Sequence, residues 1–285
     1  MPLVSGLEVL EPARRGRYGV AAFSIHTPEM VDAVFAAAER LRAPLMLQVG
    51  RRTVRQSGVE AACGWVCQRA ARSPVPAALH LDHAQDMTAV LQGLRAGCTS
   101  VMYDGSDLPF AENVRRTQEV VRACHAVGVP VEAEVGRVGG VEDDLSVDEA
   151  ETRMATPEGC QRFVAETACD TLAPAVGSVH GLGTADPPRL RIELIAAIAR
   201  AVQLPLVLHG GSGLDPAQLR AAIGAGICKI NLDTELRRLF ARELRDALEE
   251  FAPQDDPRAA LLRAEAALTA AAEERVGQLG GAGRG

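Results

Sequence analysis

Six histidines occur in the chain, and three of them stand where metal chemistry could be done. His83 closes the run His80-Leu81-Asp82-His83, His180 lies in Ser178-Val179-His180-Gly181, and His209 opens His209-Gly210-Gly211-Ser212-Gly213. Three neutral imidazoles that leave one position open make a catalytic zinc site. An ion held that way polarises a substrate oxygen. Each histidine alone reads as an ordinary satisfied polar residue; the set of three, each just after a different apolar run, points to metal. The glycine-rich turn after His209 adds a second chemistry. Between a strand and a helix, such a turn lets backbone N–H groups approach a phosphate, and the helix N-terminus adds favourable charge. Of the remaining histidines, His80 alternates with Asp82 on one strand and is expected to support the ligands from behind. His125 lies in a helix tail, where its protonated form suits the dipole. His26 has no assignment from sequence.

Such residues need a scaffold that carries distant segments to one face. Eight short apolar runs read as strands: Tyr18–Phe23, Pro44–Val49, Ala77–Leu81, Ser100–Tyr103, Pro130–Glu134, Thr171–Ala175, Leu206–Leu208 and Ile227–Asn231. Helical patterns lie between them, as at Pro28–Arg42, Asp86–Ala96, Ala111–Val127 and Pro187–Ala201. Thr27-Pro28, Thr156-Pro157 and Asp215-Pro216 each place a cap before a proline at the first helical position, and Gly97 and Gly128 suit helix stops. Strands alternating with helices imply parallel βαβ units. Eight of them point to an α/β chain folded as a (β/α)8 TIM barrel, rather than an open doubly wound sheet. A barrel places its active site at the C-terminal ends of its strands, often with phosphate after strands seven and eight. The polar residues fall there: Asp82 and His83 after the third strand, Asp104 after the fourth, and Glu132 and Glu134 at the end of the fifth. His180 follows the sixth, His209 ends the seventh, and Asn231 and Asp233 follow the eighth.

The loop Gly136–Ser146 is long and rich in glycine and acid, and is expected to be a mobile active-site loop. From about Glu235 the chain turns helical and Ala-rich, which predicts the last barrel helix, a helical arm and a frayed tail at Gly280–Gly285 within one domain spanning residues 1–285. Aromatics are only 3%, so Ala, Val, Leu and Ile must fill the core. The net charge of −7 offers no basic footprint for nucleic acid. No stretch reaches the roughly 20 apolar residues of a membrane span, and Glu8, Glu11 and Arg14 break any signal-like run, so a cytoplasmic location is expected. The seven scattered cysteines fit reduced thiols, with Cys63 and Cys67 read as helix packing. Lys229 is the only lysine.

The motifs Leu81-Asp82-His83, Ser178-Val179-His180-Gly181, Leu208–Gly213 and Lys229–Glu235 stand in the order and spacing of the class II ketose-bisphosphate aldolases, and the chain resembles that family over nearly its whole length. The segment Ser100–Phe110 looks most like the tagatose-bisphosphate branch. The resemblance implies that His83, His180 and His209 bind the catalytic zinc. It makes Asp82 the proton donor and acceptor at the C4 hydroxyl and Glu142 the group that handles the proton at C3. Asp104 and Glu134 correspond to a second site for a divalent or monovalent cation. Gly181, Gly210, Gly211, Ser212, Asn231, Asp233 and Thr234 would hold the dihydroxyacetone phosphate end of a phosphorylated sugar. The implied assembly is a homodimer or homotetramer, with a related partner subunit as an alternative.

Four places depart from the family pattern: Ser24, Gly50-Arg51-Arg52, Val141 and Gly181-Leu182-Gly183-Thr184. They shape the aldehyde half of the site, so fructose, tagatose or another phosphorylated ketose stays open as substrate. Two further readings remain. Lys229 could form a Schiff base, though the alternation before it does not settle which way it faces. The chain could also be a non-catalytic partner subunit, against which the intact set of site residues speaks.

Overall fold

The eight apolar runs form strands in a computed structural model that describes residues 3–142, 145–147, 153–181, 188–251 and 256–285. They are β1 (Val20–Ser24), β2 (Leu45–Val49), β3 (Ala77–Ala84), β4 (Ser100–Tyr103), β5 (Val131–Val135), β8 (Thr171–Pro174), β10 (Leu206–Leu208) and β11 (Ile227–Leu232). All pair in parallel, and the sheet closes in the order β1-β11-β10-β8-β5-β4-β3-β2. A parallel sheet is covered on both faces, which is why these runs read as continuously apolar and not as alternating. Outward residues such as Phe23, Leu47, Leu79 and Leu206 join the core shared with the surrounding helices. Inward residues near the strand starts, Val20, Ala22, Met46, Ala78 and Cys228, form a separate apolar cluster.

That lower cluster is sealed by a helix that the strand and helix pattern does not foretell. α1 (Gly6–Gly16) lays Val9, Leu10 and Ala13 against it. The signal is present: Glu8 accepts the Ser5 N–H at 2.9 Å, half of a capping box. Pro12 inside the helix and its short length mask it.

The outer helices are α2 (Pro28–Leu41), α3 (Arg51–Ser57), α4 (Val59–Ala70), α5 (Met87–Arg95), α6 (Phe110–His125), α7 (Pro157–Thr167), α8 (Ile192–Val202), α9 (Pro216–Ala225), α10 (Thr234–Phe251) and α11 (Pro257–Leu279). The three cap-and-proline signals hold. Thr27 accepts from the Met30 amide, Thr156 from Gly159 and Asp215 from Ala217.

The helical extension expected at the C-terminus is present, and it packs along the barrel instead of reaching away from it. α11 buries Ala260, Ala264, Leu268, Ala272 and Val276, and lies on α2 and β1. It is therefore the helix that closes the ring, and α10 packs against it. Nor does the tail fray. The amides of Gly283 and Gly285 donate to the Leu41 and Arg42 carbonyls, each at 2.8 Å, and the Arg284 guanidinium sits 5.3 Å over the Tyr18 ring. The segment expected to be a mobile loop contains structure as well. β6 (Gly139–Glu142) and β7 (Leu145–Val147) form an antiparallel pair, and β6 also pairs in parallel with β9 (Val179–His180). Among the described residues, no helix is long and apolar enough to cross a membrane.

Candidate active site

β3 carries its chemistry by alternation until its end. His80 and Asp82 share the inward face, and both are buried. His83 then breaks the pattern with a φ of +51°, and the register against β4 shifts between Leu81 and Ala84. Left-handed backbone at a non-glycine residue is strained, and here it lets two consecutive side chains serve one site. His180 is placed by two glycines rather than by packing. Gly140 and Gly210 both have positive φ, and a Cβ on either would stand 2.3 Å from a backbone oxygen of β9, that of His180 or Val179 respectively. Only glycine allows backbone to approach that closely from both sides. His209 follows β10 directly.

The three sequence-distant histidines meet. Each offers a nitrogen, and the three lie within 4.8 Å of one another. The ring centroids are 5.7 Å apart for His83 and His180, 4.9 Å for His83 and His209, and 5.8 Å for His180 and His209. Two of the rings are oriented from behind. Asp104 Oδ2 accepts from His83 Nδ1 at 2.8 Å, and Glu132 Oε1 accepts from His209 Nε2 at 3.0 Å. Each ring therefore offers its other nitrogen to the centre, the usual carboxylate–histidine arrangement of a metal site. This donor set fits zinc: soft enough nitrogens, fixed tautomers, and three ligands from three strand ends. His83 with Asp104 and Glu134 forms a second group within the same 4.8 Å, an oxygen-rich set suited to a harder cation.

Charge below the site is tightly organised. Burial pushes the Asp104 carboxyl up, but the His83 hydrogen bond and the Ser106 contacts outweigh it and hold it well below the usual carboxylate range. Glu132 behaves alike: burial raises it, and Lys229, His80 and His209 bring it far down. His80 is pushed well below its ordinary value by burial and by the Lys229 charge. It donates from Nδ1 to Ser100 Oγ at 2.7 Å, so its Nε2 is free to accept from Lys229 at 3.2 Å. His80 thus stands behind Lys229 and Glu132. His125 pairs with Asp170 and His26 with Asp233.

Lys229 faces inward because β10 and β11 slip register between Leu206 and Val207, a bulge that re-aims the side chains after it. It is 0% exposed and its amine donates to Glu132 Oε2 at 2.7 Å. A Schiff base needs an amine that substrate can reach, and this one is sealed beneath the histidines. Sequence reasoning placed Glu132 at the catalytic face and weighed Lys229 as a nucleophile, but missed that the two pair behind His209. The spacing Glu132/Glu134 and Lys229/Asn231 held the signal, since residues two apart share a strand face.

The glycine turn is partly committed to the protein. Gly211 N–H donates to Asn231 O at 3.0 Å and Gly213 N–H to Glu235 Oε2 at 2.9 Å. Ser212 Oγ accepts the Asp233 N–H at 3.1 Å. The expected cradle of amides is therefore narrower, and Gly211 contributes by shape, because a Cβ there would stand 2.4 Å from Ile230. These bonds lock the turn against Asn231, Asp233 and Thr234, the last of which opens α10. Gly181, next to His180, has a φ of +87°. Glu142 ends β6, but its side chain lies outside the described residues, as do residues 182–187 with the Leu182-Gly183-Thr184 departure.

The family model for class II fructose-bisphosphate aldolase matches residues 4–284. The chain belongs to that family. Solved structures agree. The YdjI aldolase from Escherichia coli K12 is 31% identical, with 99% of each chain covered and a TM-score of 0.86. A candidate fructose-1,6-bisphosphate aldolase from Coccidioides immitis is 30% identical, covering 98% of this chain and 97% of that one at a TM-score of 0.89. The fructose-bisphosphate aldolase of Campylobacter jejuni, at 19% identity and a TM-score of 0.86 over 100% of this chain and 97% of its own, shares the fold. The chain is thus a carbon–carbon lyase of the aldolase type on a TIM barrel with a C-terminal helical extension.

Proposed function

We infer that this aldolase is zinc-dependent and reversibly cleaves a ketose 1,6-bisphosphate, tagatose or fructose, to dihydroxyacetone phosphate and glyceraldehyde 3-phosphate. The observation that carries the reading is the convergence of His83, His180 and His209 within 4.8 Å at the strand ends, beside the buried Asp82. These three histidines would hold the metal. Zinc, when bound, supplies Lewis acidity at the ketone oxygen. Asp82 takes the C4 hydroxyl proton as the C3–C4 bond breaks, and the bond's electron pair passes toward the ketone to leave an enediolate. Glu142 returns a proton to C3. The turn at Gly210, Gly211 and Ser212, with Gly181, Asn231, Asp233 and Thr234, receives the dihydroxyacetone phosphate end. Asp104 and Glu134 would bind a second cation; without one, Asp104 orients His83. A homodimer or homotetramer is the assembly we infer from the family resemblance.

A second reading keeps the chemistry and changes the aldehyde. Arg51 supports it, because it lines the same cavity as Asp82, and its Nη1 is buried without a hydrogen-bond partner among the described residues. A guanidinium so placed suits an anionic group on the departing aldehyde. The test is zinc content together with cleavage of both bisphosphates, before and after chelation and zinc return. Activity lost on chelation and restored by zinc is expected, and the rate ratio names the branch. Zinc bound without turnover on either sugar would favour the altered aldehyde or a required partner subunit, and chelator-resistant activity would overturn the zinc reading.

A further inference from the structure

We propose that Lys229 is a positioning residue that sets the donor nitrogen and orientation of His209 through Glu132, and so tunes how tightly the site holds zinc. The inference rests on the zinc reading above. Four contacts form an unbroken line beneath the metal ligands. Ser100 Oγ holds His80 Nδ1 at 2.7 Å, Lys229 Nζ bridges His80 Nε2 at 3.2 Å and Glu132 Oε2 at 2.7 Å, and Glu132 Oε1 takes the His209 Nε2 proton at 3.0 Å. Every member is buried. With one carboxylate oxygen committed to Lys229, the other is fixed in place as an acceptor. His209 must then carry its proton on Nε2 and turn an unprotonated Nδ1 toward the centre, where Glu134 Oε2 lies 3.5 Å away. Remove the ammonium and Glu132 is a buried carboxylate with a free rotamer, and the tautomer of His209 is no longer dictated.

The composition of the chain points the same way. Of 30 basic residues, 29 are arginine and this one is lysine. The chain uses the guanidinium wherever a cation meets solvent or a surface carboxylate. At 0% exposure a guanidinium would bring five donors to two acceptors, His80 Nε2 and Glu132 Oε2, whereas a compact ammonium has three rotatable donors for these partners on β3 and β5. The position demands a point charge.

The experiment compares wild type, Lys229→Met, Glu132→Gln and the double variant. Metal-free samples are first checked for fold by circular dichroism and melting. Zn2+ affinity is then measured against a competing chelator, and Co2+ is substituted to read the visible ligand-field bands, which report ligand geometry independently of turnover. Lys229→Met is expected to stay folded, bind Zn2+ about 10- to 100-fold more weakly, and shift the Co2+ bands. The double variant should lose less than the product of the two single losses, because both act on the one His209 contact. Should Lys229→Met alone fail to fold, the double variant carries the test, since it leaves no buried charge unpaired; at least a tenfold loss is expected. A folded variant with wild-type Zn2+ affinity and unchanged Co2+ bands overturns the proposal, as does a lowered melting temperature with both readouts unmoved. If the wild-type chain itself takes up no Zn2+, the zinc reading falls and this inference with it.

Discussion

Met46 and Gln48 are two residues apart on β2, so both face the barrel interior, yet they sit in opposite environments. Around Met46 lie Val20, Ala22, Ala78 and Cys228, closed from below by α1. One layer higher, Gln48 shares its level with His80, which it pairs in register, and with Ser100, Glu132 and Lys229 close by. Both layers are buried. Burying a side chain such as Met contributes about 1.5–3 kcal/mol, whereas a buried polar atom without a partner costs about 1–3 kcal/mol. Neither amide atom of Gln48 has a hydrogen-bond partner among the described residues. The same strands thus stabilise the fold at their starts and give up stability near their ends, where the chemistry is.

The largest effect should come from the upper end. His180→Ala removes a partly exposed ring, so the metal-free variant should melt within about 3 °C of metal-free wild type. Cleavage should fall by about 10^3-fold or more, the scale of several kcal/mol of lost charge stabilisation. Full activity in a folded variant would remove His180 from the site. The lower end should respond in the opposite sense. Met46→Ala should cost about 2–5 kcal/mol in urea unfolding and leave kcat/KM per folded molecule unchanged. A matching drop in kcat/KM would show that the two layers are not separable. Smaller again, Gln48→Met makes the upper layer resemble the lower one. It should raise unfolding free energy by about 1 kcal/mol, and a loss of that size instead would mean Gln48 is satisfied in solution by something such as ordered water.

Much of this division is legible in the amino-acid sequence alone. The eight strands and the strand-end placement of Asp82, His83, Asp104, Glu134 and His209 follow from apolar runs and from where the polar residues interrupt them. What resists such reading is set by tertiary geometry. Lys229 faces inward after a one-residue slip between β10 and β11, so the residues before it do not reveal its direction and only its spacing from Asn231 does. His180 sits in a two-residue strand too short to carry a pattern, held by backbone approach at Gly140 and Gly210. α11 reads as an arm because its apolar residues are mostly alanine, and small side chains give a weak periodic signal even where they pack on α2. The glycine turn reads as a phosphate cradle, and only the bonds of Gly211 and Gly213 show that part of it is spent on Asn231 and Glu235.

The cysteines give the finest test of whether the two ends are mechanically separate. Burial pushes the Cys228 thiol, in the lower layer, up to about 12, and Cys160 and Cys169 likewise to about 12. A thiol with a raised pKa stays protonated at pH 8 and is a poor nucleophile. Acidity alone does not decide the matter, because the Cys98 hydrogen bond lowers Cys63, yet Cys63 is buried. Access decides, and Cys67 is the one cysteine of the seven that is not buried. Alkylation of the native chain at pH 8, read by intact mass, should therefore add one label at most. Chelation should not change that number, since removing an ion from the strand ends loosens only the upper layer. A second label appearing at Cys228 after chelation would mean that the lower layer opens when the metal leaves, and that the stable end of the barrel depends on the chemical end after all.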